Sequence, residues 1–309
     1  MKISVVSTLY YSKPYLKEFC ERLVKAVSKI TDHYELILIN DGSPDDSLAT
    51  AIELQKGYPQ IIIVDLARNF GHHRAIMTGL QMTTGDYVFL IDSDLEEAPE
   101  LINDYWTVLT SDEKLDVVFG VQTSRKGGWF ERLSGKLFYK FFATITSLDY
   151  PADSITARLM TQGYVRSVIS FREKELDIWG VFVLAGYNQK AIPVTKLSKE
   201  SSSYSLQKKI RVAIEMITTL SHRPLYLTFF IGLLFLLLSV ISICVIVYEK
   251  VMYNTTEGWA SILAAIWFVS GVILFVLGIF GVYLSKMFLE IKNRPLTIVK
   301  NIYRHTEKK

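Results

Sequence analysis

The sequence predicts an α/β fold, a mostly parallel sheet with helices on both faces, followed by a C-terminal pair of membrane-spanning helices. Three observations predict it. Five runs of apolar residues are separated by stretches in which apolar side chains recur every three or four positions, the pattern of buried parallel strands alternating with amphipathic helices. Polar residues with chemical potential follow those runs directly, where an open parallel sheet receives its ligands. Finally, residues 225–248 and 259–285 carry no charged side chain, and each exceeds the ~20 apolar residues that cross a bilayer as a helix.

Ile3 to Thr8 reads as the first strand, and Leu16, Phe19, Leu23 and Val27 mark the apolar face of the helix after it. Glu35 to Asn40 is the second strand. It ends in Asp41-Gly42-Ser43-Pro44-Asp45-Asp46-Ser47, where turn formers meet a helix N-cap candidate. Ile61 to Leu66 is the third and runs into Ala67-Arg68-Asn69-Phe70-Gly71; Tyr87 to Asp92 is the fourth and Asp116 to Val121 the fifth. This order brings Asp41, Arg68 and the pair Asp92/Asp94 to the carboxyl ends of the strands.

Asp92-Ser93-Asp94 is the segment with the most chemistry. In a strand alternate side chains share a face, so Asp92 and Asp94 can point into one crevice while Ser93 turns away, and Glu96 continues the alternation. Hard oxygen ligands suit Mg²⁺ or Mn²⁺, which takes one or two carboxylates and completes its shell with water and substrate phosphates. An acidic turn that merely caps the next helix is the competing reading of these residues.

Half of the 309 residues are hydrophobic, 21% are charged and the formal net charge is +3. About 200 residues suffice for one catalytic domain, and the apolar excess lies in the two uncharged stretches. Lys208, Lys209, Arg211 and Arg223 precede the first of these, and Lys286, Lys292, Arg294, Lys300, Arg304, Lys308 and Lys309 follow the second, whereas 249–258 holds one lysine. The asymmetry predicts a hairpin with both termini cytoplasmic, and no signal peptide is visible in the first 30 residues. Residues 129–147 carry aromatics and cations at helical spacing, as an interfacial helix does; an ordinary core-packed helix is the alternative. Residues 205–224 form a second amphipathic segment leading into the first span. The expected organisation is therefore a catalytic domain over 1–204, a juxtamembrane helix over 205–224, a hairpin over 225–285 and a basic tail over 286–309. Cys20 and Cys244 are too far apart in kind of segment to pair and lack metal-ligand spacing. There is no nucleic-acid signature. Gly232, Gly271, Gly278 and Gly281 would let the hairpin pack against copies of itself.

Taken in order, Ile39-Asn40-Asp41-Gly42-Ser43, Leu66-Ala67-Arg68-Asn69-Phe70-Gly71 and Gly85-Asp86-Tyr87 through Asp92-Ser93-Asp94-Leu95-Glu96 to Pro99-Glu100 resemble the family 2 glycosyltransferases of the GT-A fold. Within them the chain is similar to the polyprenyl-phosphate glycosyltransferases, a group that includes dolichyl-phosphate mannose synthase and bacterial undecaprenyl-phosphate sugar transferases. The resemblance covers nearly the whole chain. It implies inverting transfer of one sugar from a UDP- or GDP-linked donor to a polyprenyl phosphate, at the cytoplasmic side of a bacterial inner membrane, with Mg²⁺ or Mn²⁺ as cofactor. By the same resemblance Asp92, Asp94 and Glu96 hold the metal; Thr8, Tyr10, Asp41, Arg68, Asp92 and Ser93 bind the nucleotide-sugar; and Arg125, Lys126, Arg132, Ser134, Arg158, Lys199 and Tyr204 receive the acceptor phosphate. Asp94, Asp92 and Arg132 carry the catalytic burden in that scheme. His72 and His73 are read as loop structure.

The chain departs from the family's pattern where sugar and acceptor should lie. Gln122 stands where an arginine is usual, Thr156 where a carboxylate or serine precedes Arg158, and Lys199-Glu200 within a reduced closing motif. Two other functions remain as alternatives. A processive polysaccharide synthase would need more spans and a Gln-x-x-Arg-Trp segment, which the surroundings of Trp179 lack. A non-catalytic membrane scaffold would account for the altered acceptor segments but not for the retained metal set.

Overall fold

The computed structural model describes residues 1–122, 154–174, 176–195, 218, 221, 223–253 and 258–305. The chain divides into two compact units, one built on a sheet and one on two long helices. In the first, β1 (Ile3–Leu9), β2 (Tyr34–Asn40), β3 (Ile61–Leu66) and β4 (Tyr87–Leu90) lie parallel in the order β4-β1-β2-β3. Beyond β4 come β6 (Ser154–Thr161), β5 (Val117–Gln122) and β7 (Gln189–Val194); beyond β3 comes β8 (Val299–Tyr303). Only β6 and β8 run against their neighbours, so the sheet is mixed.

Each central strand is buried on both faces, which is why these segments read as unbroken apolar runs. Along β2, Leu36 and Leu38 join the core under α1 (Lys13–Val27), α2 (Ser47–Gly57) and α4 (Leu101–Thr110). Ile37 and Ile39 point the other way, towards α3 (His72–Gln81), α5 (Gln162–Ser170) and α6 (Ile178–Leu184). The first core holds Leu16, Phe19, Leu23, Ile102 and Tyr105; the second holds Ile76, Leu80, Tyr164, Val168 and Phe182. Burying such a side chain contributes about 1.5–3 kcal/mol.

Three strands escape the apolar-run reading. β6 interrupts its pattern with buried Thr156 and Arg158. β7 and β8 are sheet edges with largely exposed faces. The segment expected as a basic tail is divided, since Lys286 to Ile291 complete the long helix Trp259–Ile291 and Val299 to Tyr303 pair with β3. The Ala67 N–H donates to Ile298 O at 2.9 Å, the Thr78 and Thr297 hydroxyls meet at 2.7 Å, and Gln55 Nε2 donates to Tyr303 O at 3.0 Å.

The second unit contains α7 (Arg223–Tyr253) and α8 (Trp259–Ile291), whose Phe235 and Phe268 rings meet at 5.3 Å. Among the described residues one helix is long and apolar enough to cross a membrane, Ala265–Ile291, with a mean hydropathy of 2.5. α7 carries a shorter apolar stretch, Pro224–Phe235. The expected interfacial helix over 129–147 and nearly all of 205–222 lie outside the described residues.

Candidate active site

The carboxyl ends of β1 to β4 are tied to one another by side chains reaching across loops. Asp41, directly after β2, is 3% exposed. Its Oδ1 accepts the Phe70 N–H at 2.7 Å and its Oδ2 the Gly71 N–H at 3.0 Å. Gly42 makes that closeness possible: its φ is +58°, and a Cβ there would lie 2.4 Å from Asn69 N and 2.5 Å from the Arg68 carbonyl carbon. The loops after β2 and β3 are thus locked together. Each carboxylate oxygen of Asp41 thus accepts one N–H from the loop that carries Arg68.

Arg68 itself is exposed, donates to Asn69 O at 3.0 Å and lies 4.2 Å from the centroid of Phe70. At the exit of β1, Tyr10 and Tyr11 are 49% and 58% exposed and meet edge to face at 4.9 Å. Tyr11 holds φ at +55°, a strained backbone for a bulky residue. Its N–H donates to Ser43 Oγ at 2.8 Å and the Tyr10 N–H to Ser12 Oγ at 3.0 Å, bonds that fix the two rings outward.

β4 stops at Leu90. The strand therefore does not reach Asp92, and the pleat cannot align Asp92, Asp94 and Glu96. Ser93 turns inward, 3% exposed; its hydroxyl donates to Thr8 O at 2.8 Å and lies 2.8 Å from Ser12 Oγ. Ser93 braces the segment after β4 to β1. Leu95 takes φ +61°, which swings the Glu96 N–H back onto Asp94 Oδ1 at 3.0 Å. Among the described residues no three His, Cys, Asp or Glu side chains gather at a metal-sized point. A turn thus stands where the strand pleat is expected to align the three carboxylates. Asp92 and Asp94 remain a donor set that fits Mg²⁺ or Mn²⁺, whose octahedron takes one or two carboxylates and leaves the rest to water and phosphate.

Asp92 is 25% exposed and held by two elements that are distant in sequence. β6 pairs with β4 so that Arg158 faces Leu90, which extends Thr156 alongside Asp92. The Thr156 hydroxyl donates to Asp92 Oδ2 at 2.6 Å. From the start of α3, His72 places Nε2 3.5 Å from Asp92 Oδ1 and Nδ1 3.1 Å from Thr8 Oγ1. Glu97 fixes the end of the turn: 2% exposed, it accepts the Thr156 N–H at 2.9 Å and the Ala157 N–H at 2.7 Å.

Arg158, expected at the acceptor phosphate, is 2% exposed. Its guanidinium lies 3.7 Å from the Phe182 centroid, 4.7 Å from Trp179 and 5.9 Å from Phe119. The cavity beside it measures about 10 Å³, no more than one water needs. Arg158 is therefore a buried cation packed among aromatic rings. Arg125, Lys126, Arg132, Ser134, Lys199 and Tyr204 lie outside the described residues.

The two adjacent histidines differ. His73 packs edge to face on Trp179, with Nδ1 3.2 Å from Leu176 O and 4.0 Å from Asp177 Oδ1. Burial pulls its pKa below the usual histidine value despite Asp177 and the Leu176 carbonyl, and burial pushes Asp177 up. These contacts tie the start of α3 to the start of α6. His72 belongs to the site, and sequence reasoning missed it; the available signal was its place just after Gly71, at the start of a helix that opens onto the sheet's carboxyl edge.

The profile of the family described as "Glycosyl transferase family 2" matches residues 4–168. A Mycobacterium tuberculosis protein named as a glycosyltransferase is 39% identical over 304 residues, 98% of this chain and 89% of its own. An uncharacterized glycosyltransferase of Bacillus subtilis, YkcC, is 31% identical over 307 residues, 98% of this chain and 94% of its own. Among solved structures, glucosyl-3-phosphoglycerate synthase from Mycobacterium tuberculosis in complex with Mn²⁺, UDP and glucosyl-3-phosphoglycerate is 20% identical, covering 71% of this chain and 78% of that one with a TM-score of 0.45.

Proposed function

The chain belongs to glycosyl transferase family 2, and on that footing we propose that it moves one sugar from a nucleoside-diphosphate sugar, UDP- or GDP-linked, to a polyprenyl phosphate at the cytoplasmic face of a bacterial inner membrane. The observation that carries the reading is the union, in one chain, of a half-exposed Asp92/Asp94 edge with an apolar helix, Ala265–Ile291, of membrane-crossing length. The first suits a diphosphate donor. The second suits an acceptor that lives in a bilayer.

Asp92 and Asp94 would hold Mg²⁺ or Mn²⁺. When bound, such an ion offsets the charge that develops on the departing nucleoside diphosphate. Thr156 and His72 keep Asp92 oriented, and Glu97 keeps the turn against β6. Tyr10 and Tyr11 offer exposed ring faces to a nucleobase, and Arg68 offers an exposed guanidinium to donor oxygens. Arg125, Lys126, Arg132, Ser134, Lys199 and Tyr204 are proposed to receive the acceptor phosphate. A phosphomonoester has a second pKa near 6 and is largely dianionic at neutral pH, so its oxygen attacks without a strong general base, and a single displacement inverts the anomeric carbon. The basic residues flanking the helices support a hairpin with both termini cytoplasmic.

The test is incubation of membranes carrying the full chain with radiolabelled nucleotide-sugars and undecaprenyl phosphate, with and without chelator. Chelator-sensitive, chloroform-soluble label is expected. Insoluble polymer, or no label with any donor, would overturn the reading.

A further inference from the structure

Asp92 is met from both sides by parts of the fold that are distant in sequence, and the two contacts are unequal. Thr156 holds Oδ2 at 2.6 Å with a hydroxyl that is itself fixed by the Glu97 clamp on its backbone. The other oxygen meets His72 Nε2 at 3.5 Å. His72 is placed by a chain of constraints. Asp41 takes the N–H groups of Phe70 and Gly71, Gly71 adopts φ +99° as the residue before α3, and the helix begins with His72. Its ring then spans from Thr8 at the end of β1 to Asp92 after β4. With the Thr8 hydroxyl donating to Nδ1, the proton is left on Nε2, the nitrogen nearer Asp92. Contacts at both nitrogens hold the ring plane. The side chain is also 42% exposed, which a purely structural histidine in this fold would not need.

We infer that His72 is a positioning residue for the donor site: through its Nε2–H it holds the Asp92 carboxylate in the orientation in which that group meets the divalent cation of the nucleotide-sugar. The inference rests on the reading of Asp92 as a ligand to that cation. His72 is not a third ligand, because among the described residues it forms no group of three metal-binding side chains with the carboxylates. It acts one shell out, where an orienting partner typically contributes 10–100-fold in metal affinity. Thr8 belongs to the same device, since loss of its hydroxyl leaves Nδ1 without the partner that sets the tautomer.

The experiment measures Mn²⁺ binding to detergent-solubilised full-length protein by electron paramagnetic resonance, alone and with UDP or GDP, alongside donor KM and kcat. His72→Ala is expected to weaken Mn²⁺ binding about 10-fold or more and to raise donor KM with an unchanged melting temperature. His72→Gln, which retains an N–H at the Nε2 position, is expected to restore most of the affinity. Thr8→Val should weaken binding in the same direction as His72→Ala. Mn²⁺ affinity unchanged in His72→Ala, or equal loss in the Ala and Gln variants, would overturn the inference while leaving the transferase reading intact. Wild-type protein that binds no Mn²⁺ in any of these mixtures would overturn both.

Discussion

The two ends of the parallel strands handle buried carboxylates in opposite ways. At the amino ends, Glu35 is saturated: it takes Lys2 Nζ at 2.7 Å, the Ser4 hydroxyl at 2.6 Å, the Thr84 N–H at 2.8 Å and the Thr84 hydroxyl at 3.0 Å. At the carboxyl ends, Asp41 and Glu97 are equally enclosed, but Asp92 has one firm bond, one looser contact and a quarter of its side chain in solvent. A fully bonded carboxylate holds strands and loops together. One that is bonded on a single side keeps lone pairs for something that arrives later.

The sharpest way to break this contrast is to remove the carboxylate that stands two residues beyond Asp92. Asp94→Ala is expected to lower sugar transfer at least 100-fold, a loss of about 3 kcal/mol in transition-state stabilisation, with the melting temperature little changed. Measured label in the lipid fraction near wild-type levels would place Asp94 among the structural carboxylates. Glu97→Gln should do the reverse. An amide presents an N–H₂ to backbone N–H groups that need an acceptor, so about 1–3 kcal/mol of stability is lost, read as a lower unfolding temperature with donor affinity falling only as the Asp92 turn loosens.

The smallest effect is the most diagnostic for the amino-end cluster. Burial pushes the Glu35 carboxyl up, but the bonds from Lys2, Ser4 and Thr84 together outweigh it and hold the pKa below its ordinary 4.5. A depressed folded-state value means the stabilisation is fully present above pH 4.5 and is lost as pH falls through the lowered value. Glu35→Gln should therefore be less stable than wild type by about 1–2 kcal/mol near neutrality, and the gap should close below pH 4.5 in thermal unfolding of solubilised protein. A gap that persists unchanged to pH 3 would show that the cluster does not depend on the ionised carboxylate.

Much of this was legible in the sequence, in a particular sense. β1 to β5 announced themselves because residues such as Leu36 to Ile39 are buried on both faces, and burial of that kind leaves an unbroken apolar run. β6 did not, because its Thr156 and Arg158 are buried by partners elsewhere, Asp92 and an aromatic cage, that no local pattern records. The same reason separates the sites found from the roles assigned. Asp41 and Ser93 stood out as polar residues at strand exits, yet their partners lie 29 and 85 positions away, and those partners turn both into braces. The pleat argument for Asp92, Asp94 and Glu96 does not carry over, because β4 ends at Leu90 and the turn beyond it runs through the left-handed Leu95.

The return of the chain to the sheet after its longest apolar helix sets a schedule for synthesis. Gln55 and its partner Tyr303 are 248 residues apart, so at ~5–20 residues per second β3 waits tens of seconds on the ribosome for its last neighbour. During that interval its edge offers unpaired backbone groups to any passing strand. An apolar helix of membrane-crossing length is thus made before the sheet is complete, and a chain halted between the two would carry a sheet still open on one side.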